Sequence, residues 1–248
     1  MSGKESPVSQ DGELLVLIRM AACVTASSHF PNSFQKKTNM AAIRIQQPKN
    51  LNDMVFKDTA TENRVRRYAT GKRAGNIILH GPKSTGKTKP AKQIVQTIFD
   101  AHDNPNAAPE YHATQFDKVK DMESRIYGDW NLQSACGVKN LYVIINEADQ
   151  LSQEKLRHIR GMFDETEIGQ FIFTTNNIHA FDEPLLDRCD DIEMPPIDIE
   201  AWRSKVVVWL ADNNIEVDAD IVKRMLKTNT DTIRDLKRSI EDIACEIR

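Results

Sequence analysis

Gly81-Pro82-Lys83-Ser84-Thr85-Gly86-Lys87-Thr88 has the spacing GxxxxGK[ST], and the apolar run Asn76–His80 leads straight into it. In a strand–loop–helix arrangement of this kind, backbone N–H groups wrap a phosphate and the positive end of the helix dipole faces the anion. Lys87 is spaced to reach the β and γ phosphates of a nucleotide, and the Thr88 hydroxyl to ligate Mg²⁺. All eight residues are therefore expected to bind the ligand, with ATP and Mg²⁺ as the pair that fits. The competing reading, a glycine-containing turn that matches by accident, is opposed by the strand placed directly before the loop. Pro90 falls in the first turn of the following helix, where its ring should tighten or bend the helix start.

Two more segments belong beside that loop. The run Leu141–Ile145 passes into Asn146-Glu147-Ala148-Asp149. Glu147 is placed to act as a general base on an attacking water. The position before it, where an acid would hold the Mg²⁺ shell, carries Asn146. An amide accepts a hydrogen bond from a metal-bound water but brings no charge, so weaker Mg²⁺ binding and slower hydrolysis are expected. A strand followed by a polar turn is the plainer alternative. The run Gln170–Thr174 ends in Thr175-Asn176-Asn177, where Asn176 could lie between the γ phosphate and the water; asparagine is also a common turn former.

The elements that must position these residues follow from periodicity. Asn76–His80, Tyr111–Thr114, Leu141–Ile145, Gln170–Thr174 and Asp191–Met194 are short apolar runs, separated by helical spacing as in Ala91–Ala101 and Gln153–Phe163. Such alternation predicts an α/β fold, a parallel sheet with helices on both faces. Beyond Pro195-Pro196 the strands stop, and Ile199–Asn213, Asp218–Leu226 and Asp231–Ile247 read as helices. The expected organisation is an ATPase domain over 40–195 and a small all-helical domain over 196–248. Residues 1–39 show no sustained period; they are expected to form a disordered arm, to precede a true start at Met40, or to dock a partner.

Bulk properties exclude several classes. A formal net charge of −3 gives no general nucleic-acid-binding surface, so any such contact must come from a local positive cluster. Cys23, Cys136, Cys189 and Cys245 form no CxxC pair, which fits a reducing cytoplasm better than a disulfide framework. The apolar run Leu14–Val24 is interrupted by Arg19 and is too short to span a bilayer, so no membrane segment is expected.

With these residues in place, the chain from Ile43 to Arg248 resembles an AAA+ ATPase. Within that class it is similar to the small ATPase subunit of sliding-clamp loaders, those of T4-like phages and replication factor C. Gln47–Val55 resembles the family's N-terminal segment, which closes over the adenine and brings Met54 and Val55 to the nucleotide. Thr174-Thr175-Asn176-Asn177-Ile178 followed by Pro184-Leu185-Leu186-Asp187-Arg188-Cys189 keeps the family's order and approximate spacing. The resemblance implies that Asn176 is sensor 1 and that Arg188 is an arginine finger reaching a neighbouring subunit's ATP. It also implies that Arg234 is the sensor 2 arginine of a helical lid. An exposed salt bridge is the alternative for Arg188. The chain departs from the family at Asn146 (Asp there), at Asp187 (Ser there) and at the Lys83-Ser84-Thr85 interior of the loop, which lacks the usual Pro-Gly; the helical collar that normally follows the lid is expected to be absent.

The partners implied are a ring-shaped sliding clamp, primer-template DNA, and other loader subunits in a homo- or hetero-oligomer. Lys89, Lys92, Lys118, Lys120 and Arg125 are candidates for DNA backbone contact, with a solvated charged face as the alternative for each. The basic stretch Arg64–Arg73 reads as surface, and Arg157 as a residue facing a neighbouring subunit. Competing functions are another DNA-associated AAA+ machine, such as a helicase loader, branch-migration motor or defence ATPase, and a nucleotide-binding subunit that does not hydrolyse.

Overall fold

A computed structural model describes residues 48–56, 58–102, 108–166, 169–196, 198–226 and 232–247. The expectations for residues 1–39, and for Gln47, lie outside the described residues. Strands β1 (Asn76–His80), β2 (Glu110–His112), β3 (Leu141–Asn146), β4 (Gly169–Thr175) and β5 (Cys189–Glu193) form one parallel sheet in the order β2-β3-β4-β1-β5. Every residue of β3 and β4 is buried, as expected of strands covered on both faces. The outer strands β2 and β5 are only partly covered.

Two expected strands shift. The run placed at Asp191–Met194 occupies Cys189–Glu193. The extended run placed at Tyr111–Thr114 occupies Glu110–His112, and a 3₁₀ turn over Ala113–Gln115 comes after it. The cause is a reciprocal cap. The His112 ring accepts from the Thr114 amide, and Gln115 Oε1 accepts from the His112 amide at 2.8 Å, which curls the chain out of the sheet.

Helices α1 (Thr59–Ala69), α2 (Thr88–Asp100), α3 (Val119–Ala135), α4 (Gln153–Glu165) and the short α5 (Glu183–Leu186) accompany the sheet. In α2 the buried residues Ala91, Ile94, Val95, Ile98 and Phe99 fall at helical spacing and form its sheet-facing stripe. Pro90 is the third residue of α2, within the first turn, whose N–H groups have no partner inside the helix, so the ring removes no helical hydrogen bond. The start is tightened as expected: the Lys89 amide bonds back only three residues, to Gly86 O at 3.1 Å.

The basic stretch on α1 is tied to the fold. Arg64 and Arg73 both pair with Asp190 on β5, which also accepts from Tyr68 Oη at 3.0 Å, and Arg66 pairs with Glu62 one turn earlier. Burial and the Asp190 charge both push the Tyr68 hydroxyl pKa well above its ordinary value.

A second apolar cluster joins α6 (Ile199–Ala211), α7 (Ala219–Leu226) and α8 (Ile233–Ile247), through Val206, Leu210, Val222, Leu226, Leu236 and Ile240. Hydrogen bonds join this helical part to the α/β part: Lys205 Nζ donates to Asp53 O, and the Ile233 amide donates to Ser84 O at 3.0 Å. Among the described residues no helix is long and apolar enough to cross a membrane.

Candidate nucleotide site

The loop between β1 and α2 turns on residues whose backbone leaves little choice. Gly81 has φ +147°, and a Cβ there would lie 2.1 Å from Met194 O. Ser84 has φ +64°, a left-handed conformation normally left to glycine, and costs about 1 kcal/mol on that account. The α2 N-terminus carries no side-chain cap, so no side chain there competes with an anion for the helix start. Lys87 is buried, and its Nζ donates to the loop's own carbonyls, Gly81 O at 2.9 Å and Pro82 O at 2.6 Å. Burial pushes its pKa below the ordinary lysine value, against the pull of Asp149 and Glu147. A buried cation with only neutral acceptors within bonding distance is a receptor for a phosphate.

Loop, strand ends and helical part enclose a cleft of about 470 Å³. Lys83, Ser84, Gly86, Lys87, Thr88, Lys89 and Lys92 line one side, Glu147, Thr174, Thr175 and Asn176 another, and Arg234 reaches it from α8. The structure thus brings together Lys87, Thr88, Glu147, Asn176 and Arg234, from segments far apart in sequence. Lys83, Lys89 and Arg234 have no side-chain partner among the described residues.

The residues expected to hold Mg²⁺ meet directly. Asn146 Oδ1 accepts from Thr88 Oγ1 at 3.0 Å and from Thr174 Oγ1 at 2.9 Å. These are neutral oxygen donors suited to a hard cation that keeps most of its water and takes its charge balance from phosphate. The donor set therefore fits Mg²⁺ with a nucleotide, Thr88 as the ligand and Asn146 one layer out.

Glu147 comes after β3 in the left-handed region, at φ 52° and ψ 45°, which turns its carboxylate toward the cleft. That carboxylate accepts from Gln150 Nε2 and lies 3.1 Å from His112 Nε2. Asp149 Oδ1 accepts from Thr175 Oγ1 at 2.8 Å and from the Asn176 amide at 3.3 Å, fixing the chain that presents Asn176.

Arg188 does not line the cleft of its own chain. It is exposed at the start of β5, donating to Pro184 O at 2.9 Å and to Asp164 at 3.3 Å. Val55 borders a separate small cavity of about 30 Å³ with Thr85, Met194 and Trp202, whereas Met54 packs against the main core. Of the basic residues considered for DNA, Lys92 pairs with Glu110 at 2.5 Å and Arg125 with Asp121 one turn away.

Sequence reasoning did not identify Glu110, His112, Thr174 or Trp202. Glu110 and His112 alternate on β2, so both side chains lie on one face of the sheet beside β3; the misplaced strand hid that pairing. Thr174 stood inside an apolar run and carried no separate signal.

Comparison with known proteins agrees with this geometry. Residues 77–196 match the ATPase family associated with various cellular activities, AAA. The chain is similar to a replication factor C small subunit of Archaeoglobus fulgidus, 21% identical over 72% of this chain and 56% of the relative. It is also similar to replication factor C subunit 3 of Saccharomyces cerevisiae, 19% identical over 81% of this chain and 58% of the relative. The chain thus spans little more than half the length of these curated relatives. Among solved structures, a RuvB variant of Thermotoga maritima superposes with a TM-score of 0.60 at 13% identity, over 80% of this chain and 63% of that one. That likeness shows the fold. The parallel sheet, the loop before α2 and the family match agree: residues 77–196 carry the fold and match the model of the AAA ATPase family, in a chain similar over most of its length to replication factor C subunits.

Proposed function

We propose that this chain is the ATPase subunit of a sliding-clamp loader acting in DNA replication. ATP binding would assemble it with other loader subunits, open a ring clamp and place it on primed DNA, and hydrolysis would release the complex. The observation that carries the reading is the shared cleft. Lys87, Thr88 and Glu147 of the α/β part and Arg234 of α8 face one space, so a γ phosphate would feel both parts at once. Residues 40–195 then serve as the ATPase domain and 196–248 as its lid.

Within that reading Lys87 holds the β and γ phosphates and the α2 amides wrap them. Mg²⁺, held by Thr88 with Asn146 behind it, would supply charge neutralisation at the phosphates. Glu147 accepts the proton of the attacking water, once it leaves Gln150 and His112, and Asn176 orients that water. Val55, which borders the small cavity with Met194 and Trp202, is assigned to the base. Arg188, exposed and away from its own cleft, is placed to serve a neighbouring subunit. Lys118 and Lys120, which do not line the cleft, are the residues left for the DNA backbone, with affinity that falls steeply with salt.

A second reading, a subunit that binds ATP and turns it over slowly or not at all, is favoured by Asn146 and by the bonds that hold Glu147. Steady-state hydrolysis with and without clamp and primer-template DNA separates the two. Stimulation by both in the wild type and its loss in Glu147→Gln are expected. Equal, unstimulated turnover in the two proteins would favour the second reading.

A further inference from the structure

Asn146 raises a question of orientation. An amide offers an acceptor on one side and a donor on the other, so only one of its two flips presents oxygen to Thr88. The surroundings choose. Asn146 Nδ2 donates to Glu110 Oε1 at 2.6 Å, and the other Glu110 oxygen pairs with Lys92 Nζ at 2.5 Å. Flipping the amide would set Oδ1 against the Glu110 carboxylate, two acceptors with no proton between them, while hydroxyls can donate or accept equally well. Glu110 therefore dictates that Oδ1 faces Thr88 and Thr174. With the Thr88 proton directed at Oδ1, the lone pairs of Thr88 Oγ1 are left for a cation. The link is carried by the backbone register: Glu110 stands opposite Ile144 and His112 opposite Asn146, so Glu110 reaches Asn146 from the adjacent strand.

We propose that Glu110 is the positioning residue for the Mg²⁺-binding hydroxyl: its carboxylate locks the Asn146 amide so that a neutral side chain on β3, backed by an acid on β2, orients Thr88. The proposal rests on the ATP reading given above. It places the acid one strand away from where relatives are expected to carry it, and Lys92, at i+4 from Thr88 on α2, anchors it there. It also reverses a simple expectation. Asn146→Asp alone does not repair the site, because it sets two carboxylates at the distance of a hydrogen bond.

The test is binding of a fluorescent ATP analogue, measured in EDTA and across a Mg²⁺ titration. Glu110→Ala is expected to raise the Mg²⁺ midpoint about 10-fold, the usual cost of losing a group that orients a metal ligand, and to leave affinity in EDTA unchanged. Asn146→Asp alone should raise it too. The pair Asn146→Asp with Glu110→Gln, in which the amide and the acid exchange strands, should return it to within about 3-fold of wild type, a residual well below that cost. An unchanged midpoint in Glu110→Ala, or an Asn146→Asp protein that binds Mg²⁺ as well as the exchanged pair, would overturn the proposal while leaving the ATP site intact. Failure of the wild type to bind the analogue under either condition would overturn the ATP reading itself, and this proposal with it.

Discussion

Two regions of this molecule concentrate positive charge, and they treat it in opposite ways. On α1 and just beyond it, Arg64, Arg66 and Arg73 are each met by a carboxylate, Asp190 or Glu62, and Arg73 also lies over the Tyr68 ring. At the nucleotide cleft, Lys83, Lys89 and Arg234 have no side-chain partner among the described residues, and Lys87 is given only main-chain carbonyls. The first cluster has its counter-charge built in and serves the fold. The second, apart from Lys92 with its Glu110 partner, holds its charge in reserve for a ligand. Backbone strain divides the same way: the cleft holds Ser84 and Glu147 in the left-handed region, while the non-glycine residues of α1 and β5 show none. Charge density alone does not separate a binding site from a structural cluster; the supply of counter-charge does.

The largest effect should come from Lys87→Ala. Loss of a charge-assisted bond to phosphate is expected to weaken ATP binding about 100-fold, measured by calorimetry, with little change in melting temperature. A pH series sharpens this. Burial lowers the Lys87 pKa below the ordinary lysine value, so the protonated form that binds the anion is lost as pH rises through that lowered value. Affinity should therefore begin to fall below the ordinary lysine range, and Lys87→Arg, which stays charged, should flatten the profile.

Asp190→Ala tests the other cluster. Removing the shared acceptor of Arg64, Tyr68 and Arg73 should cost about 2 kcal/mol of folding stability by urea titration, with ATP affinity unchanged. A large loss of ATP binding without loss of stability would erase the distinction between the regions. Arg234→Ala comes next, with about 10-fold weaker ATP binding and unchanged ADP binding, as expected for one charged contact to the γ phosphate. The smallest effect belongs to Ser84→Gly. Relief of the left-handed strain, offset by greater freedom in the unfolded chain, should stabilise the protein by at most about 1 kcal/mol in a thermal melt.

Much of this division could be read from the sequence. The loop at Gly81–Thr88, the acidic turn after β3 and the polar end of β4 announced themselves because each chemical group comes directly after an apolar strand. Periodicity then gave the sheet and the three terminal helices nearly to the residue. Legibility failed where partners come from separate strands. Glu110 and His112 lie in a strand of three residues, too short to show alternation, and a cap formed by His112 and Gln115 bends the chain out of the sheet just beyond it. The counter-charges were equally hidden: that Arg64 meets Asp190, 126 positions later, depends on β5 pairing with β1. Arg188 shows the same limit from the other side, since the role proposed for it depends on a neighbouring subunit.

The bond from the Ile233 amide to Ser84 O joins helix α8 to the phosphate loop through main-chain atoms on both sides. Such a joint is blind to side-chain identity. Substitution at either position leaves it in place, except proline at 233, which has no N–H to give. Any movement of the loop around a phosphate is therefore felt at the first turn of α8, directly before Arg234. Hydrogen exchange at that one amide should act as a local clock for the helical part, slow while the loop is seated and fast when it lets go.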